Sequence, residues 1–120
     1  MATKTNAVRL VQQAGIPCRE AFYEFDEQDL SGVHAAQAIG MPEEQVFKTL
    51  VARGEKTGIN VFCIPVCCEL DLKKAAKAAG VKSVSMLPQK QLLPLTGYVH
   101  GGCSPVGMKK QFPTVLDESV

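Results

Sequence analysis

Between residues 46 and 66 the chain changes its hydrophobic period. VFKTLVA (46–52) and INVFCIPV (59–66) are rich in β-branched and aromatic residues, and RGEKTG (53–58) between them supplies a turn. In an extended strand Val46, Lys48, Leu50 and Ala52 share one face, and Phe47, Thr49 and Val51 share the other. Two such runs joined by a glycine-containing turn predict an antiparallel hairpin. A hairpin cannot stand alone in water, so the rest of the chain has to cover it.

The flanking segments read at the helical period. TNAVRLVQQAG predicts a first helix, capped by Thr5 or Asn6, with Val8, Leu10, Val11 and Ala14 as its apolar stripe and Gly15 as its stop. Pro17 opens an extended piece, CREAFYEF. SGVHAAQAIG predicts a second helix with Ser31 as cap and Gly40 as stop, and in PEEQ Pro42 suits a first helical position. LDLKKAAKAAG is the clearest helix, with Asp71 at its start, Leu72, Ala75, Ala76 and Ala79 on one face and Gly80 at its end. VKSVSML reads as a short strand, PQKQLLPLTG as a short helix or turn, GYVH as a strand and FPTVLDE as the start of another. Helices and hairpins without regular strand–helix alternation predict an α+β fold. Its sheet is expected to be mixed, mostly antiparallel and curled toward a barrel.

A chain of 120 residues suffices for one domain, taken as 1–120. Its 46% hydrophobic and 21% charged residues are those of a globular protein. A net charge of +1 exerts no global pull on nucleic acid, so any such footprint has to be local. MATKTNAVRL lacks the apolar core of a signal peptide, and no apolar run is long enough to cross a bilayer. Five cysteines, an odd count, predict free thiols in a reducing compartment. The expected location is the cytoplasm, with no membrane partner.

YVHGGCSPVGMKKQFP (98–113) is too rich in glycine for a helix and too rich in proline for an inner strand. Gly102 and Gly107 mimic the spacing of a phosphate loop, but Met108 follows where lysine is required and Pro113 blocks the helix. KTG (56–58) has no Ser-x-x-Lys companion, so it is a turn. Cys63, Cys67 and Cys68 are wrongly spaced for a zinc knuckle, and no metal or other cofactor is expected. Cys103 lies between His100 and the Lys109–Lys110 pair, which admits a nucleophilic thiolate, but no oriented base is visible. Lys48 is the stronger anomaly, a cation in the middle of an apolar strand face. It either snorkels at an exposed edge or serves an anion or a developing oxyanion. Closely spaced glycines aim backbone N–H groups at a ligand, and such a nest suits an ester carbonyl, a carboxylate or a phosphate.

VFKTLVA, LDLKKAAKAAG and TGYVHGGCSPVGMKKQFPTVLDE together resemble the YbaK/EbsC group of aminoacyl-tRNA deacylases, and within it the bacterial Cys-tRNA(Pro)/Cys-tRNA(Cys) deacylases. The resemblance runs from AVRLVQQAGI to Asp117. It implies a trans-acting editing domain that hydrolyses the ester between a wrong amino acid and the 3′ end of tRNA. By resemblance Lys48 and Thr49 match the Lys-Thr pair, with Lys48 as the catalytic cation. Gly101, Gly102, Ser104 and Pro105 match the loop around the ester, and Tyr23 a pocket tyrosine. Where family members carry an aromatic before the second helix, this chain has Ser31. Relatives continue past PTVLDE, so the resemblance implies a C-terminally shortened domain with an unpaired sheet edge and a tendency to self-associate. The expected partners are the acceptor end of aminoacyl-tRNA and prolyl-tRNA synthetase. Lys73, Lys74, Lys77, Lys109 and Lys110 are candidates for its phosphates, although Lys73, Lys74 and Lys77 also fit an ordinary solvated helix face. A module that binds aminoacyl-tRNA or a synthetase without hydrolysis is the competing reading.

Overall fold

The hairpin forms as its period predicts. In a computed structural model, which describes residues 5–21, 32–54, 58–99 and 102–119, β1 (Phe47–Gly54) and β2 (Gly58–Pro65) pair antiparallel along their whole length. The register sets Thr49 opposite Cys63, Lys48 opposite Ile64 and Val51 opposite Val61. β3 (Val84–Met86) adds antiparallel to β1, and β4 (Thr114–Leu116) adds parallel to β2. The strand order is β3-β1-β2-β4. The expected curl toward a barrel does not close among the described residues, because both outer strands are only three residues long and do not reach one another.

Strand alternation gives the sheet two differently covered faces. One carries Val51, Ile59 and Val61, packed with Leu87, with Leu92 and Leu95 of α4 (Gln89–Thr96), and with Cys103, Met108 and Phe112 of the loop that follows. The other carries Ala52 and Phe62, packed with Ala75 and Ala76 of α3 (Leu72–Ala79) and with Val84. Alanines on the buried face of α3 let the helix lie close to the sheet. Leu72, expected on that face, is 43% exposed: it is the first residue of the helix, at the outer end of the alanine stripe. Asp71 caps α3 by accepting from the amides of Lys73 and Lys74, and Gly80 ends it at φ 74°, a conformation costly for other residues.

α1 (Asn6–Gln13) is capped by the Thr5 hydroxyl, which accepts from the Val8 amide at 3.2 Å. It buries none of its residues; Val8 and Val11 are half-buried, while Leu10 and Ala14 are exposed. α2 (Gly32–Ala38) buries Ala36 completely, and residues Glu43–Gln45 form a 3₁₀ turn with Pro42 just ahead of it rather than inside it. One expected strand is corrected. Tyr98 and Val99 are irregular, since the Gly102 amide donates to the Val99 carbonyl and closes a turn there. In the expected extended piece, Cys18–Ala21 are irregular and pair with no strand among the described residues, and the remainder of CREAFYEF lies outside them. Tyr23, Ser31, His100 and Gly101 also lie outside them.

Candidate active site

Where the hairpin meets the glycine loop, a groove of about 320 Å³ is lined by Phe47, Thr49, Cys63, Cys103, Ser104, Pro105 and Leu116. The hairpin register builds its floor. Cross-strand partners point to the same side, so Thr49 and Cys63 face the groove together, with the Thr49 hydroxyl 3.7 Å from the Cys63 sulfur. The loop supplies the opposite wall.

That wall is held by residues whose importance the sequence did not signal. Thr96, at the last turn of α4, is fully buried. Its hydroxyl donates to the Leu92 carbonyl at 2.8 Å and accepts from the Tyr98 amide at 3.1 Å. Its carbonyl accepts from the Lys109 amide at 3.0 Å, so one residue fastens both ends of the loop. Farther out, the Tyr98 hydroxyl donates to the Val106 carbonyl at 2.7 Å, and Asn6 of α1 donates its side-chain amide to the Gly107 carbonyl at 2.8 Å. Gly107 has φ 79°, and a Cβ there would lie 2.6 Å from the Asn6 amide nitrogen. Thr96 and Asn6 read as an ordinary helix end and cap in one dimension; only the fold brings them against the loop. Cys63 could have been found by extending the hairpin register from Thr49.

The polar equipment of the groove is modest and specific. The Ser104 hydroxyl accepts from the Val106 amide at 3.1 Å, which leaves its proton to donate. The Gly102 amide is already used on Val99, and Pro105 has no amide hydrogen. Of the loop residues that line the groove, Cys103 and Ser104 have backbone amides, and that of Ser104 already interacts with the Cys103 sulfur. Both thiols are held neutral. Burial pushes Cys63 above its ordinary 9.0, opposed by the Thr49 hydroxyl. Burial likewise pushes Cys103 up, and the nearby Cys63 adds to this, while the Thr96 hydroxyl and the Ser104 backbone oppose it. A nucleophilic thiolate needs the opposite shift, so burial disfavours Cys103 as the nucleophile; His100, its neighbour in sequence, lies outside the described residues.

The candidate residues do not all converge. Thr49, Ser104 and Pro105 meet at the groove; Lys48 does not line it. Lys48 is half-buried and, by alternation, belongs to the sheet face that packs α3. Gly102 is exposed beside the groove, and Tyr23 and Gly101 lie outside the described residues. Lys73, Lys74 and Lys77 are exposed on α3, across the sheet from the groove, whereas Lys109 and Lys110 continue the loop on the groove's side. Among the described residues no group of three His, Cys, Asp or Glu is arranged around a metal position, and no helix is long and apolar enough to cross a membrane.

Residues 30–120 match the sequence profile of the aminoacyl-tRNA editing domain. The chain belongs to the aminoacyl-tRNA editing domain family. It is 52% identical over 115 residues to the Enterococcus faecalis protein named "Putative Cys-tRNA(Pro)/Cys-tRNA(Cys) deacylase EbsC", an alignment covering 96% of this chain and 70% of that one. A crystal structure described as that of "a putative trans-editing enzyme for prolyl tRNA synthetase" superposes with a TM-score of 0.78 at 29% identity, covering 98% of this chain and 74% of the other. Hypothetical protein APE2540 superposes with a TM-score of 0.80 over 94% of this chain and 73% of its own, and at 23% identity it shares the fold. The open α+β sheet, with a loop folded over one face, is thus the editing-domain architecture.

Proposed function

We propose that this editing domain hydrolyses the aminoacyl ester of mischarged tRNA, with Cys-tRNA(Pro) as first substrate and Cys-tRNA(Cys) as second. The observation that carries the reading is the groove in which Thr49, Ser104 and Pro105 meet, in a chain 52% identical to a protein named for that activity. A synthetase pocket sized for proline discriminates poorly against a side chain of similar volume, so a second hydrolytic site is needed to remove the error. The ester is already activated. Water adds to its carbonyl carbon, the bond to the ribose oxygen breaks, and the products are free amino acid and the restored ribose hydroxyl. The substrate's own thiol or ribose hydroxyl is an alternative attacker for the first step. The protein's part is to orient the ester and stabilise the oxyanion. Thr49 and Ser104 are assigned to orientation, with Tyr23, Gly101, Gly102 and Pro105 completing the pocket. The loop amides are assigned to the developing charge; Lys48, which the resemblance puts in that role, stands on the opposite face of β1 and is not assigned to it. The acceptor end of tRNA is the expected partner, and prolyl-tRNA synthetase the source of the mischarged substrate.

Binding without hydrolysis is the second reading, and the placement of Lys48 on the far face of β1 favours it. A deacylation assay with Cys-tRNA(Pro), Cys-tRNA(Cys) and Ala-tRNA(Pro) side by side separates the two. Ester loss from the cysteinyl substrates is the expected result. Retention of all three esters, with tRNA bound, would establish the binding module instead.

A further inference from the structure

A second groove, of about 520 Å³, lies at the other end of the same sheet face. It is lined by Ile59, Pro94, Leu95, Lys109, Lys110 and Phe112, among others. Ile59 and Cys63 share a face of β2 and are four residues apart, about 14 Å at the rise of an extended strand. The loop that walls the first groove with Cys103–Pro105 goes on to wall this one with Lys109–Pro113. The two grooves therefore flank the same loop, with the core around Val61 beneath it between them.

We propose that the second groove is a nucleotide subsite, which takes the unpaired nucleotides preceding the esterified 3′ end bound at Thr49 and Ser104. The proposal rests on that assignment of the first groove. Charge selects the ligand. Among the described residues, those lining the second groove include two lysines and no acid, and Arg53, opposite Ile59 in the register, adds a third cation at its border. The groove on the opposite face of the sheet is instead bordered by Glu69, Asp71, Asp117 and Glu118, with Lys74 as its one cation among the described residues. Of the two grooves, the second thus suits a polyanion and the acidic one repels it. The apolar walls complete the fit. Phe112 is half-buried, with the Lys110 ammonium over its ring 5.9 Å from the centroid, so a base that stacks there displaces the ammonium toward its phosphate. An aromatic face beside cations takes a stacked base with its phosphate on the neighbouring lysine, a mode tolerant of base identity. A stacked strand advances about 3.4 Å per nucleotide, so the ~14 Å between grooves lies within reach of a short unpaired end.

The test compares a long and a short substrate. Lys110→Gln alters an exposed side chain, and Phe112→Leu keeps an apolar group against the core; both are assayed on a cysteinyl minihelix with an unpaired 3′ end and on cysteinyl-adenosine, which cannot reach the second groove. The expected result is a drop of about tenfold in the ratio of long-substrate to short-substrate kcat/KM, carried by the KM of the minihelix. An unchanged ratio in both variants, or equal losses on both substrates, overturns the proposal. If the wild-type chain cleaves neither substrate, the hydrolytic reading fails by itself. The subsite is then read from the anisotropy of a labelled RNA oligonucleotide ending in CCA: weaker binding in both variants sustains it, and unchanged binding overturns it.

Discussion

Thr96 concentrates more of the site's geometry than any side chain that touches the groove. Its hydroxyl holds the start of the loop and its carbonyl the end. Thr96→Val keeps the shape but leaves the Tyr98 amide without its acceptor, a loss of about 1–3 kcal/mol in urea unfolding. It should also raise KM for the aminoacyl substrate, and Thr96→Ser should restore both; a variant that unfolds earlier with its KM unmoved would make Thr96 purely structural. Lys48→Ala addresses the catalytic candidate that stands apart from the groove. Loss of an oxyanion-type donor costs on the order of 100- to 1,000-fold in kcat. From the far face of β1, Lys48→Ala should instead leave deacylation within a fewfold with circular dichroism unchanged, which leaves the oxyanion to the loop amides. A drop of the full size would show that Lys48 reaches the ester. Cys103→Ser should retain activity within a fewfold, because a thiol kept neutral by burial is not the attacking group. The same burial has a signature in stability. Cys63 and Cys103 are acids whose pKa is raised by folding, so their contribution is complete below the ordinary 9.0 and is lost as pH rises above it. Urea midpoints should fall between pH 8 and pH 10, and less so when both cysteines are replaced by serine.

At the scale of elements, the hairpin and the loop obey different kinds of information. The hairpin was legible because a period of two, a turn and β-branched residues agree over VFKTLVA and INVFCIPV, and the face assignment of Lys48 and Thr49 follows from parity alone. α3 was legible for the same reason, from its cap at Asp71 to its stop at Gly80. GYVH was misread because its β-rich composition is overruled by a turn that Gly102 closes onto Val99. The loop's course was not legible at all: Asn6 and Gly107 are 101 residues apart in sequence, and no local pattern announces their bond. The union of Lys48 with the loop, suggested by charge and spacing, fails because neighbouring residues on a strand face opposite ways. The loop's dependence on that distant contact is open to measurement. Gly107→Ala forces a left-handed conformation on a residue with a Cβ, at about 1–2 kcal/mol, and drives that Cβ against Asn6. The expected outcome is a lower urea midpoint together with weaker substrate binding. Gly15→Ala, which also has a positive φ but meets nothing within 4 Å, should cost stability without touching binding. Equal effects of the two on binding would show that the α1 contact does not position the loop.

For the whole molecule the open sheet is the governing fact. Across β4 the bonds to β2 come from the Pro113 carbonyl and the Asp117 amide, so the odd-numbered positions face inward. Thr114 and Leu116 then direct their amides and carbonyls outward, away from β2, where no strand among the described residues pairs with them, and Leu116 is 55% exposed beside them. An edge of this kind is a template for another strand. The simplest partner is a second copy, pairing β4 with β4 about a twofold axis so that the same residues serve both sides. Three residues offer few bonds, so the association should be weak and concentration-dependent. Sedimentation velocity should show the average mass rising toward that of a dimer as the protein is concentrated. Thr114→Pro removes one outward amide at the first position of the strand, where proline is tolerated, and leaves the inward bonds to β2 in place. That variant should keep its circular dichroism spectrum and remain monomeric over the same range. A wild-type mass constant at the monomer value would show that this edge is too short to recruit a partner. Association that persists in Thr114→Pro would move the contact elsewhere, to the exposed Leu72 or Met86.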